Sequence, residues 1–391
     1  MNISSNQFFD VIDFDYEKEK KKFVEHMSYL KKMDVFEQTF YKKWVEVRAY
    51  KKFIGKLSTV KAKIWMPSDI NDEQQTIQEI QNLNPIIKLV DDSEEEDWLI
   101  LRLFGHTMEF SQTPGRFLKF LITSDDKYLG VVSISSDVIC IQDRDKYLGW
   151  TSVNKLKGNK KINNSAIGSC IMSTQPFGYN FLGGKLIACL ITTDVIRDKW
   201  KELYGNVLAG MTTTSLYGSY SMYNSLKWWH KCGSSAGKVA LKPDDNYYKI
   251  WHDYIKIHHK VKYDKMMTQK EGVSGPVTAA KQRALGVIFS ELGMKQKDFI
   301  HGFLRGTYYS CFYENTKDFL CDKITEDKLK LKPLFAGGKN EILNWWKPKA
   351  IERYINLKKQ NQLKSDILFY DKMIDLNYED AKTMYLGDVG R

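Results

Sequence analysis

The stretch that decides the fold runs from Ala166 to Thr214, AIGSCIMSTQPFGYNFLGGKLIACLITTDVIRDKWKELYGNVLAGMTTT. It opens with an apolar, strand-like run, Ala166 to Ser173, and turns at QPFGYNFLGG. It then continues as a helix predicted from about Gly184 to Leu203. Ile187, Ile191 and Val195 are spaced by four there, with Leu186 and Leu190 beside them, so one broad face is apolar. A second strand-like run, Val207 to Thr214, follows Gly205. Between strand and helix stand Phe181, Leu182, Gly183, Gly184 and Lys185. Two adjacent glycines let successive backbone N–H groups point toward one spot, and at a helix N-terminus those amides, backed by the helix dipole, suit a phosphate or pyrophosphate. Lys185 adds a positive charge at the rim. The same glycines also suit a turn that only brings the helix close to a sheet. A nucleoside-triphosphate loop needs GxxxxGK followed by Ser or Thr. Gly178 to Gly183 has the first spacing, but the lysine comes one residue late and Leu186 stands where the hydroxyl belongs.

Outward from this segment, short β-like runs precede it: Trp98 to Phe104, Phe117 to Thr123, Leu129 to Ser135 and Val138 to Gln142, separated by turn-forming residues. Their close spacing predicts an antiparallel meander. Residues 15 to about 52 read as helical, with Phe23, Met27, Leu30, Met33 and Phe36 at spacings of three and four. The acidic run Asp91 to Asp97 reads as a solvated loop. From about 243 onward the pattern is mainly helical and rich in lysine, and no fixed-period repeat is present. The expected fold class is α/β (α+β), a central mixed sheet flanked by helices. The expected division is an N-terminal helical lead (1–84), an α/β domain (85–242) and a basic, mainly helical C-terminal region (243–391).

The chain has 391 residues, 43% of them hydrophobic and 13% aromatic, which excludes a disordered protein. No run approaches the ~20 consecutive apolar residues of a membrane helix. The first residues carry acidic groups and no basic-then-apolar leader, so a cytoplasmic protein is expected. Six scattered cysteines form no CxxC pair, against both a disulfide framework and a four-thiolate zinc site. A formal charge of +11 favours polyanionic partners such as nucleic acid. The stretch 226–270 sets ten lysines against four aspartates, interleaved with Trp228, Trp229, Tyr247, Tyr248, Trp251, Tyr254 and Tyr263. Lysines neutralise phosphates and aromatic faces stack on unpaired bases, which makes Lys227, Trp228, Trp229, Lys231, Lys256, Lys260 and Lys262 candidate DNA contacts. A helix with aromatics inside and lysines outside accounts for the same pattern. His230 and Cys232 form only a weak HxC pair, and no metal site is expected. Arg305, Tyr308, Tyr309 and Asn315 make a dense polar and aromatic cluster with no assigned reaction.

The order of elements, a meander, a strand, a glycine loop opening a helix, another strand and an aromatic–lysine–x–glycine turn, resembles the GNAT acyltransferase superfamily. That resemblance implies a coenzyme lying in a splay between the strands Ala166 to Ser173 and Val207 to Thr214, with its pyrophosphate on Leu182, Gly183, Gly184 and Lys185. Trp228-Trp229-His230-Lys231-Cys232-Gly233 is similar to the ending that closes many such domains, with Trp229 where the family often has a tyrosine acting as general acid. Asp145-Lys146-Tyr147-Leu148-Gly149-Trp150, then Pro176 and Asn180, then Asp198-Lys199-Trp200 and Tyr204-Gly205, resemble the domain of the first protein of Druantia anti-phage systems and related phage proteins. Phage Mom-like DNA-modifying proteins are also GNAT-like. The resemblance implies an acyl-CoA or related thioester donor and DNA as acceptor. It also implies Asp145 as acceptor of an amine proton, Tyr217, Tyr220 or Tyr223 as donor to the departing thiolate, and Asn224 as a coenzyme contact. The expected function is modification of nucleobases in DNA in an anti-restriction or defence setting. A non-enzymatic nucleic-acid-binding subunit and a small-molecule or protein N-acyltransferase are the alternatives.

Overall fold

The computed structural model describes residues 14–110, 115–215, 221–235, 238–268, 280–302 and 305–388. Its strands are β1 (Ile86–Leu89), β2 (Phe117–Ser124), β3 (Lys127–Ser136), β4 (Ser165–Ser173), β5 (Gly210–Ser215), β6 (His230–Ser235), β7 (Lys238–Ala240), β8 (Ile300–Gly302) and β9 (Arg305–Cys311). The principal helices are α1 (Tyr16–Lys32), α2 (Val35–Ala49), α3 (Glu95–Gly105), α4 (Gln142–Leu148), α5 (Gly183–Leu190), α6 (Asp194–Tyr204), α7 (Asp245–His258), α8 (Lys260–Met267), α9 (Ala280–Glu291) and α10 (Gly338–Lys359).

The chain forms two compact units. The larger joins Thr39–Ala236 to Leu304–Arg391, and the smaller joins Met1–Gln38 to Gly237–Phe303. In the smaller unit Phe23, Met27, Leu30 and Met33 are buried as the spacing predicts, whereas Phe36 is exposed; Phe23 is edge-on to Trp251 of α7 at 6.3 Å and to Phe289 of α9 at 6.0 Å. β7 and β8 pair antiparallel in this unit.

The larger unit is mixed α/β and is built on a seven-stranded sheet of order β1-β2-β3-β4-β5-β9-β6. All neighbours are antiparallel except β4 and β5. The β2–β3 hairpin turns on Asp125 and Asp126, both left-handed (φ 48° and 59°), the twist that joins antiparallel strands tightly. The sheet's two faces carry different cores. One holds Val132, Ala166, Met211 and Tyr308 with Ile187 of α5 and Trp346 of α10, and the other holds Tyr309 and Cys311 with Leu148 of α4 and Trp150.

Several elements differ from the sequence expectation. Trp98 to Phe104 is helical, inside α3. Its first turn is Glu95, Glu96 and Asp97, which suits a helix dipole, and the run after it is buried all round, so no helical period shows. Val138 to Gln142 forms no strand, because Asp137 turns the chain inward to meet Arg144. The helix expected from Gly184 to Leu203 is two helices. Thr192 and Thr193 return their hydroxyls to the carbonyls of Cys189 and Leu190 at 2.7 Å, which ends α5 before Asp194 begins α6. The lead helix likewise breaks at Asp34, whose carboxylate accepts from the amides of Phe36 and Glu37 and starts α2. β9 comes from the region read as mainly helical and is inserted between β5 and β6.

Candidate ligand site at the divergence of two parallel strands

β4 and β5 pair over only three residues, Ser165↔Gly210, Ala166↔Met211 and Ile167↔Thr212. One residue further on, Thr213 Oγ1 donates to the Gly168 carbonyl at 3.3 Å, a side chain taking the place of the ladder. Beyond it β5 stays with β9 and β4 stays with β3, so among the described residues the edge of β4 from Gly168 to Ser173 has no strand beside it. Ser169, the extra residue of a bulge against β3, is exposed, and Ile171 is half-buried, so this edge reaches solvent.

At the end of β4 the chain turns through the cis Gln175–Pro176 bond into α5. Leu182 is left-handed (φ 55°), and its carbonyl accepts from the amides of Lys185 and Leu186. The amides of Gly183 and Gly184, the first two of the helix, have no backbone acceptor among the described residues. A Cβ on Gly183 would stand 2.6 Å from Cε1 of Phe177, and one on Gly184 would stand 3.2 Å from Sδ of Met222. Gly183 is thus required by close packing, and Gly184 lies at the mouth. The half-buried Lys185 donates from Nζ to Ser225 Oγ at 2.9 Å. Burial lowers its pKa, and the nearby charges of Lys349 and Arg353 on α10 lower it further. Among the described residues none of these three cations forms an ion pair. The sequence reading found Lys185 but not Lys349 and Arg353. They stand more than 160 positions along the chain, inside a helix with lysines on several sides.

Tyr223 is buried, with its phenol against the Thr213 hydroxyl and its ring 5.1 Å from Tyr308 and 5.3 Å from Trp229. Burial pushes its pKa above the ordinary range, so the hydroxyl stays protonated at neutral pH. Asn224 is exposed and accepts from the Tyr308 hydroxyl at 2.6 Å. Tyr217 and Tyr220 lie outside the described residues.

Asp145 is in a different place. Asp137, the residue after β3, is fully buried and accepts from Arg144 Nη1 at 2.6 Å, from Thr212 Oγ1 at 2.7 Å and from the hydroxyl of Ser165, the first residue of β4. Arg144 also grips Asp145 Oδ1 through Nε at 2.9 Å and Nη2 at 2.7 Å, and Lys155 donates to Asp145 Oδ2 at 2.5 Å. Trp150 lies under the guanidinium at 5.1 Å, and its Nε1 donates to the Leu320 carbonyl. The Tyr309 hydroxyl completes the lattice at Ser165 Oγ, 3.1 Å away. Gly210 is needed here, because a Cβ would meet the Ser310 carbonyl at 2.7 Å. Burial raises the Asp137 carboxyl pKa, with Arg144 opposing. Both Asp145 oxygens are held by cations. The eight steps of β4 put Ser165 of this lattice about 26 Å from Ser173 at the other end of the strand, at ~3.3 Å per residue.

The two tryptophans expected to stack on bases are interior. Trp228 is 2% exposed and edge-on to Trp345 at 5.2 Å, and Trp229 donates from Nε1 to the Ala188 carbonyl at 2.8 Å. Lys227 pairs with Glu341. Lys231 is exposed, as are Lys256, Lys260 and Lys262 of the smaller unit. His230 stacks on Tyr147 at 4.2 Å, and burial pushes the Cys232 thiol up to about 12, far from a thiolate nucleophile. Among the described residues no three His, Cys, Asp or Glu side chains stand together as a metal site, and no helix is long and apolar enough to cross a membrane.

The family model for Druantia protein DruA matches residues 41–322. The chain belongs to this family. Druantia protein DruA of Escherichia coli (strain UMEA 4076-1) is 24% identical over 257 residues, 61% of this chain and 61% of that protein. The chain thus spans about three fifths of that relative's length. No solved structure matches. The run from Asp145 to Trp150 contributes Asp145 and Trp150 to the ion-pair lattice around Arg144. Trp200 and Tyr204 hold the Arg116 guanidinium at 5.5 and 4.8 Å.

Proposed function

We propose that this chain is a component of an anti-phage defence system, with a GNAT-like scaffold that transfers an acyl group from a coenzyme A thioester to an amino group of a nucleobase in DNA. The observation that carries the reading is the divergence after Ile167 and Thr212, where a strand edge unpaired among the described residues leads to a helix N-terminus whose first two glycine amides have no backbone acceptor there. The diphosphate binds those amides together with Lys185, Lys349 and Arg353. The pantetheine arm lies along Gly168 to Ser173 as an added strand would. The nucleobase amine attacks the thioester carbonyl carbon, a C–N bond forms and the C–S bond breaks. Tyr223 gives its proton to the departing thiolate, and water takes the proton released by the amine. A base reaches such a site only from a single strand or after leaving the duplex stack, and the exposed Lys231, Lys256, Lys260 and Lys262 supply phosphate contacts. Asp145 acts in this scheme by fixing the Arg144 guanidinium, which ties α4 to Asp137.

One observation favours a second reading, a non-enzymatic nucleic-acid-binding subunit: Tyr223 and Met222 fill the α5 side of the divergence with protein. A thermal shift with acetyl-CoA and other CoA esters separates the two. Stabilisation that grows with donor concentration supports the transferase, and none at saturating donor rejects it. Nucleoside mass spectrometry of DNA from expressing cells then tests the acceptor. Unchanged nucleosides beside acylated amines or proteins would replace DNA by a small-molecule or protein acceptor.

A further inference from the structure

The structure also holds a cation with nothing to neutralise it. Arg305 begins β9 and is half-buried, yet among the described residues its side chain forms no ion pair and no hydrogen bond, and its Nε is shielded from solvent with no acceptor. A shielded guanidinium without an acceptor is costly, and proteins keep one where a ligand supplies the missing anion. Its place in the sheet says which side that ligand approaches. Along β9, Tyr308 bonds to Asn224 on the face that carries α5 and Tyr223, whereas Tyr309 bonds to Ser165 on the other face. Strand alternation sets Arg305 and Thr307 on the Tyr309 face. Gly306 is opposite Ser215, the last residue of β5, so Arg305 stands at the end where β5 leaves β4. Ser169 is exposed on this same face, bonded to Ser133 at 2.9 Å.

We infer that Arg305 is a phosphodiester-binding residue for the nucleic-acid acceptor, on the sheet face opposite the Lys185, Lys349 and Arg353 cluster. The two phosphate subsites then serve different ligands, with the transferred group passing between them through the strand divergence. This rests on the DNA acceptor proposed above. The fork of five donors matches one phosphate, and single-stranded DNA is the form whose bases are already unstacked for transfer.

The test uses the full chain and a fluorescein-labelled single-stranded 20-nucleotide oligomer, read by anisotropy across a salt series. Arg305→Gln is expected to weaken binding about tenfold and to flatten the slope of log K against log salt by about 0.7, one phosphate's share for single strands. Arg305→Lys keeps the charge and is expected to retain most of the affinity, while the response to coenzyme A stays as in the unaltered protein. Removing an unpaired charge leaves folding intact, so the melting temperature of Arg305→Gln should be unchanged or higher. Unchanged affinity and slope in Arg305→Gln would overturn the inference alone, as would a fall in melting temperature. Failure of the unaltered chain to bind the oligomer would overturn it together with the DNA acceptor.

Discussion

Replacing Arg144 by Met removes the cation that the buried Asp137 and the half-buried Asp145 share while keeping most of the side-chain volume. Its guanidinium is fully enclosed, as is Asp137, and it donates to Asp137 at 2.6 Å and to Asp145 at 2.7 and 2.9 Å. Removing one partner of a buried pair costs about 3–5 kcal/mol. Asp145 keeps Lys155 at 2.5 Å and some exposure, so the loss falls mainly on Asp137, and we expect about 4 kcal/mol. With a urea m-value of about 3 kcal/mol/M, the unfolding midpoint falls by roughly 1.3 M, read by tryptophan fluorescence. The loss depends on pH with a defined sign. Burial already raises the Asp137 carboxyl pKa, and Arg144 is the first of the groups that lower it, so the variant's pKa rises further. A group whose folded pKa exceeds its unfolded value of about 3.9 contributes stability below that value and loses it as pH rises through the folded pKa. The deficit is therefore smaller at pH 5 than at pH 8. Adding Asp137→Asn removes the stranded carboxyl and should recover at least half of the loss at pH 8. A deficit under about 1 kcal/mol, or one equal at both pH values, would refute the reasoning.

Other outcomes follow from single contacts. Gly183→Ala places a methyl 2.6 Å from the Phe177 ring and should cost about 1–3 kcal/mol by overpacking, seen as a lower melting temperature, with no change expected only if that ring is free to move. Trp229→Phe strands the Ala188 carbonyl and should destabilise by about 1–3 kcal/mol without altering oligonucleotide affinity; weaker DNA binding at equal stability would return Trp229 to the interface. Lys349→Ala and Arg353→Ala should each raise the dissociation constant for coenzyme A roughly tenfold by calorimetry, the share of one charge-assisted contact, and unchanged constants would remove α10 from the diphosphate site.

The strands either side of the glycine turn were legible because apolar runs bounded by turn residues have few other solutions, and β4 begins within one residue of its expected start. α3 was not, since a helix buried on all sides shows no period. β9 reads in retrospect as Arg-Gly-Thr-Tyr-Tyr-Ser-Cys, a β-rich run, but its insertion between β5 and β6 is a long-range pairing that no local pattern records. The glycine turn before α5 was visible in Gly183 and Gly184, whereas Lys349 and Arg353 approach Lys185 only through tertiary packing. The tryptophans misled for a physical reason: an aromatic residue between lysines fits a base stack and a hydrophobic core equally well, and burial alone distinguishes them. Asp145 has the same ambiguity, since a carboxylate suited to take a proton is equally suited to bind Arg144.

The central claim is best tested by hydrogen–deuterium exchange with and without a saturating CoA ester. The account predicts slower exchange in peptides covering residues 168–173 and 182–186, the free strand edge and the helix start, with the lattice around Asp137 unaffected. Unaltered exchange at both segments, or protection confined to other parts of the chain, would contradict it.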